Sequence, residues 1–240
     1  MELFYTPPET INLANKQILI SGQEVHHIAK VLRKKVGDTL YCTDGIGSLF
    51  HTVIEEIDQN HLRAQIRDTK FEQEPETRVT VAISLMKAAD RFEFFLEKAT
   101  ELGVAEIIPM ITERTVSRPS EKQHEAKHER WMKIVHSACK QSQRLRFPNL
   151  HKITPYKKVL ERDDDLKLIP YELSAEHPNL SFKGKRVLFV IGGEGGFSEK
   201  EVLAAKNTGF REMTIGGTIL RAETAGIFVV SMVRAEALLT

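Results

Sequence analysis

The chain has 240 residues, of which 41% are hydrophobic and 28% charged, and its formal net charge is +1. This mix excludes a disordered or fibrous chain, and the length suits one large domain or two ordinary ones. Cys42 and Cys139 are far apart and lack CxxC spacing, which argues against a disulfide scaffold or a thiolate zinc site. No apolar run reaches bilayer-spanning length, and the first residues, MELFYTPPET, lack the basic start and apolar core of a signal peptide. The expectation is a cytoplasmic protein with no metal and no membrane contact.

In chain order, the first 74 residues read as short strands with one helix among them. The strands are QILI (17–20), TLYCTD (39–44), SLFHTVIEEI (48–57) and HLRAQIRD (61–68). A helix is expected from Ser21, with Glu24 completing a capping box, Val25, Ile28 and Leu32 on one face, and Gly37 as its end. Such a pattern suggests a small barrel-like module over 1–74, followed by the polar linker KFEQEPET (70–77). From Arg78 the pattern alternates. Strands are expected at VTVAISLM (79–86), AEIIPM (105–110), LKLIPYEL (166–173), VLFVIG (187–192) and EMTIG (212–216), with a weak one near 150–153. Helices are expected at 91–102, about 125–141, 156–161, after Ser198, and 224–239. Strand–helix alternation over 75–240 predicts an α/β domain on a mainly parallel sheet.

Charge separates the regions. Residues 1–74 carry eight Lys/Arg against eleven Asp/Glu, whereas 111–158 carry twelve Lys/Arg against four Glu. A basic block in a near-neutral protein is the footprint of a polyanionic partner, and equally the composition of a solvated helix face.

Two glycine turns stand out. Gly192-Gly193-Glu194-Gly195-Gly196 follows an apolar strand, and Ser198 with Glu201 forms a capping box beyond it. No Gly-Lys-Ser/Thr follows, which excludes a P-loop, and the third glycine of a dinucleotide fingerprint would fall at Ser198. Gly216-Gly217-Thr218-Ile219-Leu220-Arg221 ends the next strand, with Glu223 in the first turn of the last helix. Two backbone-rich turns at strand ends suit a ligand with many polar edges and little net charge, such as S-adenosylmethionine. They are also what tight packing alone would use. His26 and His27 read as helix-face residues, because no third ligand stands at metal spacing.

FVIGGEGGFSEKEV and TIGGTILRAETA resemble motifs of the 16S ribosomal RNA uridine-N3 methyltransferase family, in the SPOUT superfamily of knotted methyltransferases. KAADRFEFFLEKATELGVAEIIPM, QSQRLRFP (141–148) and HHIAKVLR (26–33) are similar to its pattern as well, so the likeness spans nearly the whole chain. It implies a PUA-like RNA-binding β-barrel over 1–74 and a SPOUT domain over 75–240 with a deep trefoil knot near 187–228. It also implies a homodimer that acts on 16S rRNA, within the small ribosomal subunit. The resemblance places the methyl donor, S-adenosyl-L-methionine, against Leu85, Tyr171, Ile191, Gly192, Gly193, Glu194, Gly195, Gly196, Ile215, Gly216, Leu220, Arg221 and Thr224. Arg221 and Glu194 are the expected catalytic residues, one as a charge near the reacting base and the other as a base or ribose contact. Arg33, Lys87, Arg91, Arg114, Gln141, Ser142, Arg144 and Arg146 are the expected RNA contacts. The chain departs from the family at Gly193 and Gly217, where proline is usual, and at Thr218, where arginine is. The rival expectation is an RNA-binding or ribosome-assembly factor on the same fold without catalysis. A dinucleotide-dependent oxidoreductase lacks its fingerprint.

Overall fold

The computed structural model describes residues 2–176 and 179–239, which fall into two compact units. The first takes Met1–Glu74 together with His136–Phe147. Its strands are β1 (Leu3–Tyr5), β2 (Ile11–Asn12), β3 (Gln17–Ser21), β4 (Thr39–Thr43), β5 (Ser48–Ile57) and β6 (His61–Phe71). They form one sheet in the order β1-β4-β5-β6-β3-β2, antiparallel except for β1 beside β4. Alternate residues face inward, so Ile18 and Ile20, Leu40 and Cys42, and Leu62 and Ala64 meet Phe4, Val25 and Ile28 in one core. Register shifts between His51 and Thr52 and between Ile54 and Glu56 interrupt the long β5–β6 pair. Bulges of this kind bend a strand and sharpen its twist, which makes the sheet barrel-like.

The helix of this unit differs from the expected one at both ends. Ser21 stays in β3, opposite His61, because the ladder to β6 claims it. Gly22 turns the chain at φ 69°, and α1 (Gln23–His26) starts with no side-chain cap. Glu24 reaches instead to Lys140 Nζ, 2.6 Å away. A π turn, His27–Val31, continues α1, and Arg33 closes it at φ 55°, four residues before Gly37. The segment 136–147 packs within the same unit through aromatic contacts, with Tyr5 4.8 Å from His136 and 4.9 Å from Phe147 between ring centres.

The second unit takes Pro75–Val135 and Pro148–Thr240. It contains β7 (Arg78–Ser84), α2 (Ala89–Glu101), β8 (Glu106–Ile111) and most of α3 (Glu121–Gln141). Beyond these come β9 (Asn149–Leu150), β10 (Thr154–Pro155), α4 (Tyr156–Leu160), β11 (Leu166–Pro170), β12 (Arg186–Ile191), α5 (Glu199–Asn207), β13 (Arg211–Met213) and α6 (Ala222–Leu239). The strands are all parallel, in the order β10-β8-β7-β12-β11-β13, with β9 also on β8. Helices cover both faces, which is why β12 is apolar along its length, with Val187, Leu188, Phe189 and Val190 at 0% exposure. Tyr156, Val159, Leu160, Val202 and Ala205 pack on one face against Ala82, Ile108 and Leu188. The chain lays β12 between β7 and β11, two strands that precede it, so the strand leading to the first glycine turn is central, while β13, which leads to the second, is the edge strand.

A polar cluster lies at the amino ends of β8 and β11. The Glu106 carboxylate meets His151 Nε2 at 2.7 Å and Arg162 at 3.3 Å, and Arg162 Nε donates to Asp164 at 2.9 Å. The His151 hydrogen bond and the Arg162 charge outweigh desolvation and hold the Glu106 pKa down to about 2, from an ordinary 4.5. A carboxylate whose folded pKa lies below its unfolded value contributes stability above the unfolded value and loses it as pH falls through the folded one. The contribution is therefore complete above about pH 4.5 and gone near pH 2. Allowing for solvent screening, it is worth about 1–3 kcal/mol at neutral pH. Glu106→Gln removes that amount at pH 7 in urea unfolding, and the wild-type advantage shrinks as the pH is lowered from 4.5 toward 2.

Candidate active site

Because β7, β11, β12 and β13 run parallel, their carboxyl ends lie on one edge, where open α/β sheets place ligands. The segments leaving these ends converge there. A cavity of about 120 Å³ lies among them, lined by Pro170, Tyr171, Glu172, Ile191, Gly192, Gly193, Gly196, Phe197, Thr214 to Leu220, Ala222 and Ala225.

The first glycine turn closes tightly. The Gly196 N–H donates to the Gly193 carbonyl at 3.0 Å, and Gly196 sits at φ 62°. A Cβ on Gly192 would come within 3.1 Å of the Gly196 backbone, and one on Gly196 within 2.9 Å of Glu172 Oε1. Beyond the turn, the Ser198–Glu201 capping box is complete and starts α5. Beneath it lies a buried hydroxyl cluster, with Ser84 Oγ 2.8 Å from Thr115 Oγ1 and Thr115 Oγ1 2.9 Å from Thr112 Oγ1. A Cβ on Gly193 would stand 3.0 Å from Ser84 Oγ, so the turn rests directly on that cluster.

The second turn is looser. Thr214 Oγ1 bonds both ways with Gly216, donating to its carbonyl at 3.1 Å and accepting its N–H at 3.2 Å. Gly216 takes φ 129°, and a Cβ on Gly216 or Gly217 would meet nothing within 4 Å. The second turn is thus the wall with space to move into.

The structure brings Tyr171, Ile191, Gly192, Gly193, Gly196, Ile215, Gly216 and Leu220 together around one cavity. Leu85 is buried beside it, its carbonyl 3.6 Å from where a Gly193 Cβ would stand. Gly195 and Glu194 lie on the outer side of the turn, where Arg114 Nη1 donates to the Gly195 carbonyl at 3.0 Å and Glu194 Oε1 accepts the Lys87 N–H at 3.0 Å. Arg221 and Thr224 are exposed at the start of α6 and do not line the cavity. Glu172, Phe197, Thr214, Ala222 and Ala225 line it without having been expected from the sequence. Sequence spacing puts Glu172 inside the expected strand 166–173, but β11 ends at Pro170, which leaves Glu172 on the segment that walls the cavity.

The expected RNA contacts divide between the units. In the second unit, Arg91 Nε lies 3.8 Å from the carboxylate of Glu223, and Lys87 and Arg114 sit against the first glycine turn. In the first unit, Arg33 and Gln141 are exposed and Arg144 is half-buried. Ser142 Oγ donates to the Ala138 carbonyl at 2.7 Å, ending α3. Arg146 donates from Nε and Nη2 to the Glu72 carbonyl at 3.0 and 2.7 Å, which binds segment 136–147 to the end of β6. Its guanidinium also lies 5.2 Å from the Phe71 ring.

The comparisons place the two units in the RNA methyltransferase class. Residues 72–234 match the RNA methyltransferase domain family, and residues 20–67 match the RNA methyltransferase PUA domain. Among curated relatives, ribosomal RNA small subunit methyltransferase E of Bacillus subtilis is 30% identical over 89% of this chain and 88% of its own. The Rickettsia conorii protein of that name is 32% identical over 90% of this chain and 88% of its own. The crystal structure of ribosomal RNA small subunit methyltransferase E from Neisseria gonorrhoeae, bound to S-adenosyl methionine, superposes with a TM-score of 0.86 at 28% identity. It covers 98% of this chain and 97% of that one. The chain belongs to the ribosomal RNA small subunit methyltransferase E family.

Proposed function

We propose that this chain transfers the methyl group of S-adenosyl-L-methionine to N3 of a uridine in 16S ribosomal RNA, as a homodimer acting on the small subunit. The observation that carries the reading is the pair of glycine turns facing one cavity at the carboxyl edge of the sheet. The lining fits the methyl donor by chemistry. Main-chain N–H and C=O groups of the turns suit its adenine, ribose and amino-acid edges, and Ile191, Ile215, Leu220 and Tyr171 offer apolar surface. The cavity is smaller than the roughly 300–1,000 Å³ usual for such ligands, so the Gly216–Leu220 wall swings outward on binding. Bound there, the donor supplies an electrophilic methyl on a sulfonium.

The chain's own task is orientation and charge. N3–H of uridine is a weakly acidic imide, and its proton leaves before or during attack. A fixed cation beside the base stabilises the developing uridinate. Arg221, exposed at the start of α6, supplies that charge. Glu194, whose Oε1 accepts the Lys87 N–H, takes the role of base or ribose contact in this reading. Arg33, Lys87, Arg91, Arg114, Gln141 and Arg144 hold the RNA backbone or bases.

Incubation with methyl-labelled donor and undermethylated small subunits, followed by mapping of the labelled nucleotide, tests the assignment. Label at uridine N3 is expected, and label on another base or on protein overturns it. Calorimetry adds a second check. Gly196→Ala places a Cβ 2.9 Å from Glu172 Oε1 on a backbone at φ 62°. The strain weakens donor binding by about tenfold.

A further inference from the structure

A second cleft, of about 530 Å³, lies on the other side of the first glycine turn, between the segment after β8, α4 and the start of α5. Ile111, Leu160 and Ala204 give it an apolar floor, and Arg118, Lys157 and Lys200 stand around it. Two carboxylates also line it, and both are committed within the fold. Glu201 accepts the N–H groups of Glu113 at 2.7 Å and Ser198 at 3.0 Å, and Glu113 accepts the Ser198 hydroxyl at 2.7 Å. The cations differ in how they are held. Arg118 is anchored through Nε and Nη2 to the carbonyls of Thr115, Thr112 and Glu113. Among the described residues Lys157 and Lys200 form no ion pair, whereas their neighbours Lys158 and Lys206 pair with Glu161 at 2.9 Å and Glu212 at 3.2 Å.

The cleft is joined to the methyl-donor cavity by one stretch of chain. Gly196 and Phe197 wall the cavity, and Lys200, Glu201 and Ala204 wall the cleft. Tyr156 lines the cleft with its ring 5.5 Å from Phe197 and its hydroxyl donating to the Glu201 carbonyl at 3.1 Å. An apolar floor beside two lysines that form no ion pair among the described residues matches an unstacked nucleotide, whose base covers the floor while its phosphates meet the ammonium groups.

We infer that this cleft is a subsite for an unpaired nucleotide of the RNA strand that also carries the target base. The inference rests on the RNA-methyltransferase reading above. Single-stranded, uridine-containing RNA is the probe, with binding measured across a salt series. Each phosphate contact contributes about 0.7 to the log–log salt slope for single strands, so Lys157→Ala/Lys200→Ala reduces the slope by about 1.4. Ala204→Trp fills the floor and lowers RNA affinity about tenfold, while circular dichroism and donor calorimetry match wild type. Unchanged slope and affinity in both variants overturn the subsite. So does a loss seen with assembled subunits alone, which would put a ribosomal protein in the cleft. The two readings fail separately. Methyl transfer by wild type with unaltered RNA binding in the variants defeats the cleft alone. Weakened RNA binding in the variants without methyl transfer by wild type defeats the enzyme reading alone.

Discussion

Arg221→Ala is expected to lower kcat by about 10²-fold while the Kd for S-adenosyl-L-methionine moves by less than about threefold. The separation follows from position. The Arg221 side chain is exposed and outside the cavity lining, so donor binding does not depend on it. Its carbonyl accepts the Ala225 N–H at 2.8 Å, which fixes the backbone at the start of α6 and aims the side chain from a rigid element. A cation there acts by easing ionisation of the imide, so its removal moves the alkaline rise of kcat/KM to higher pH. The rate deficit then narrows as pH increases and uridine ionises unaided. Arg221→Lys keeps a charge but loses the planar fork, and recovers part of the rate. A deficit of equal size at every pH, or one confined to KM for RNA, would assign Arg221 to holding the strand instead.

The first glycine turn is legible because it ends VLFVI, an apolar run rich in β-branched residues, whereas the strand before the second is only Arg211–Met213 and carries a weaker pattern. The order of strands in the sheet is not legible, since nothing local says that β12 enters between β7 and β11. Ser21 shows the limit of local signals. Its capping box with Glu24 was plausible by spacing, but pairing with His61 kept Ser21 in the sheet, and Glu24 turned to Lys140, 116 residues away. The Ser198–Glu201 box, by contrast, formed, because no ladder competes for Ser198. The grouping of 136–147 with the first unit rests on ring contacts among Tyr5, His136 and Phe147, which sequence spacing does not encode. At the cavity, Glu172 falls inside the expected strand LKLIPYEL, and nothing in its spacing shows that the strand stops at Pro170. Only the shared edge of the parallel strands makes it a wall of the site.

The largest expected effect on folding falls at Gly226, in the second turn of α6. A Cβ there would lie 2.6 and 2.8 Å from two ring carbons of Phe95 and 3.1 Å from Ile83 Cδ1. Phe95 and Ile83 are both at 0% exposure, so neither has room to retreat. Alanine is a better helix former than glycine by about 1 kcal/mol, so Gly226→Ala sets a helix gain against an overpacking cost of about 1–3 kcal/mol. Gly226→Val loses most of the gain, adds two methyl groups and is expected to destabilise by about 3–4 kcal/mol in urea unfolding. Phe95→Leu removes the opposing ring and restores part of the stability when combined with Gly226→Val, although alone it costs stability by opening a cavity. That sign reversal is the diagnostic result, because two contacting residues couple and two independent ones add. Since α6 begins one residue beyond Arg221 and carries Ala222 and Ala225 in the cavity wall, loosened packing at Gly226 also weakens donor binding. Additive losses in the double variant would place the clash elsewhere and remove Gly226 as the point where α6 seats on α2 and β7.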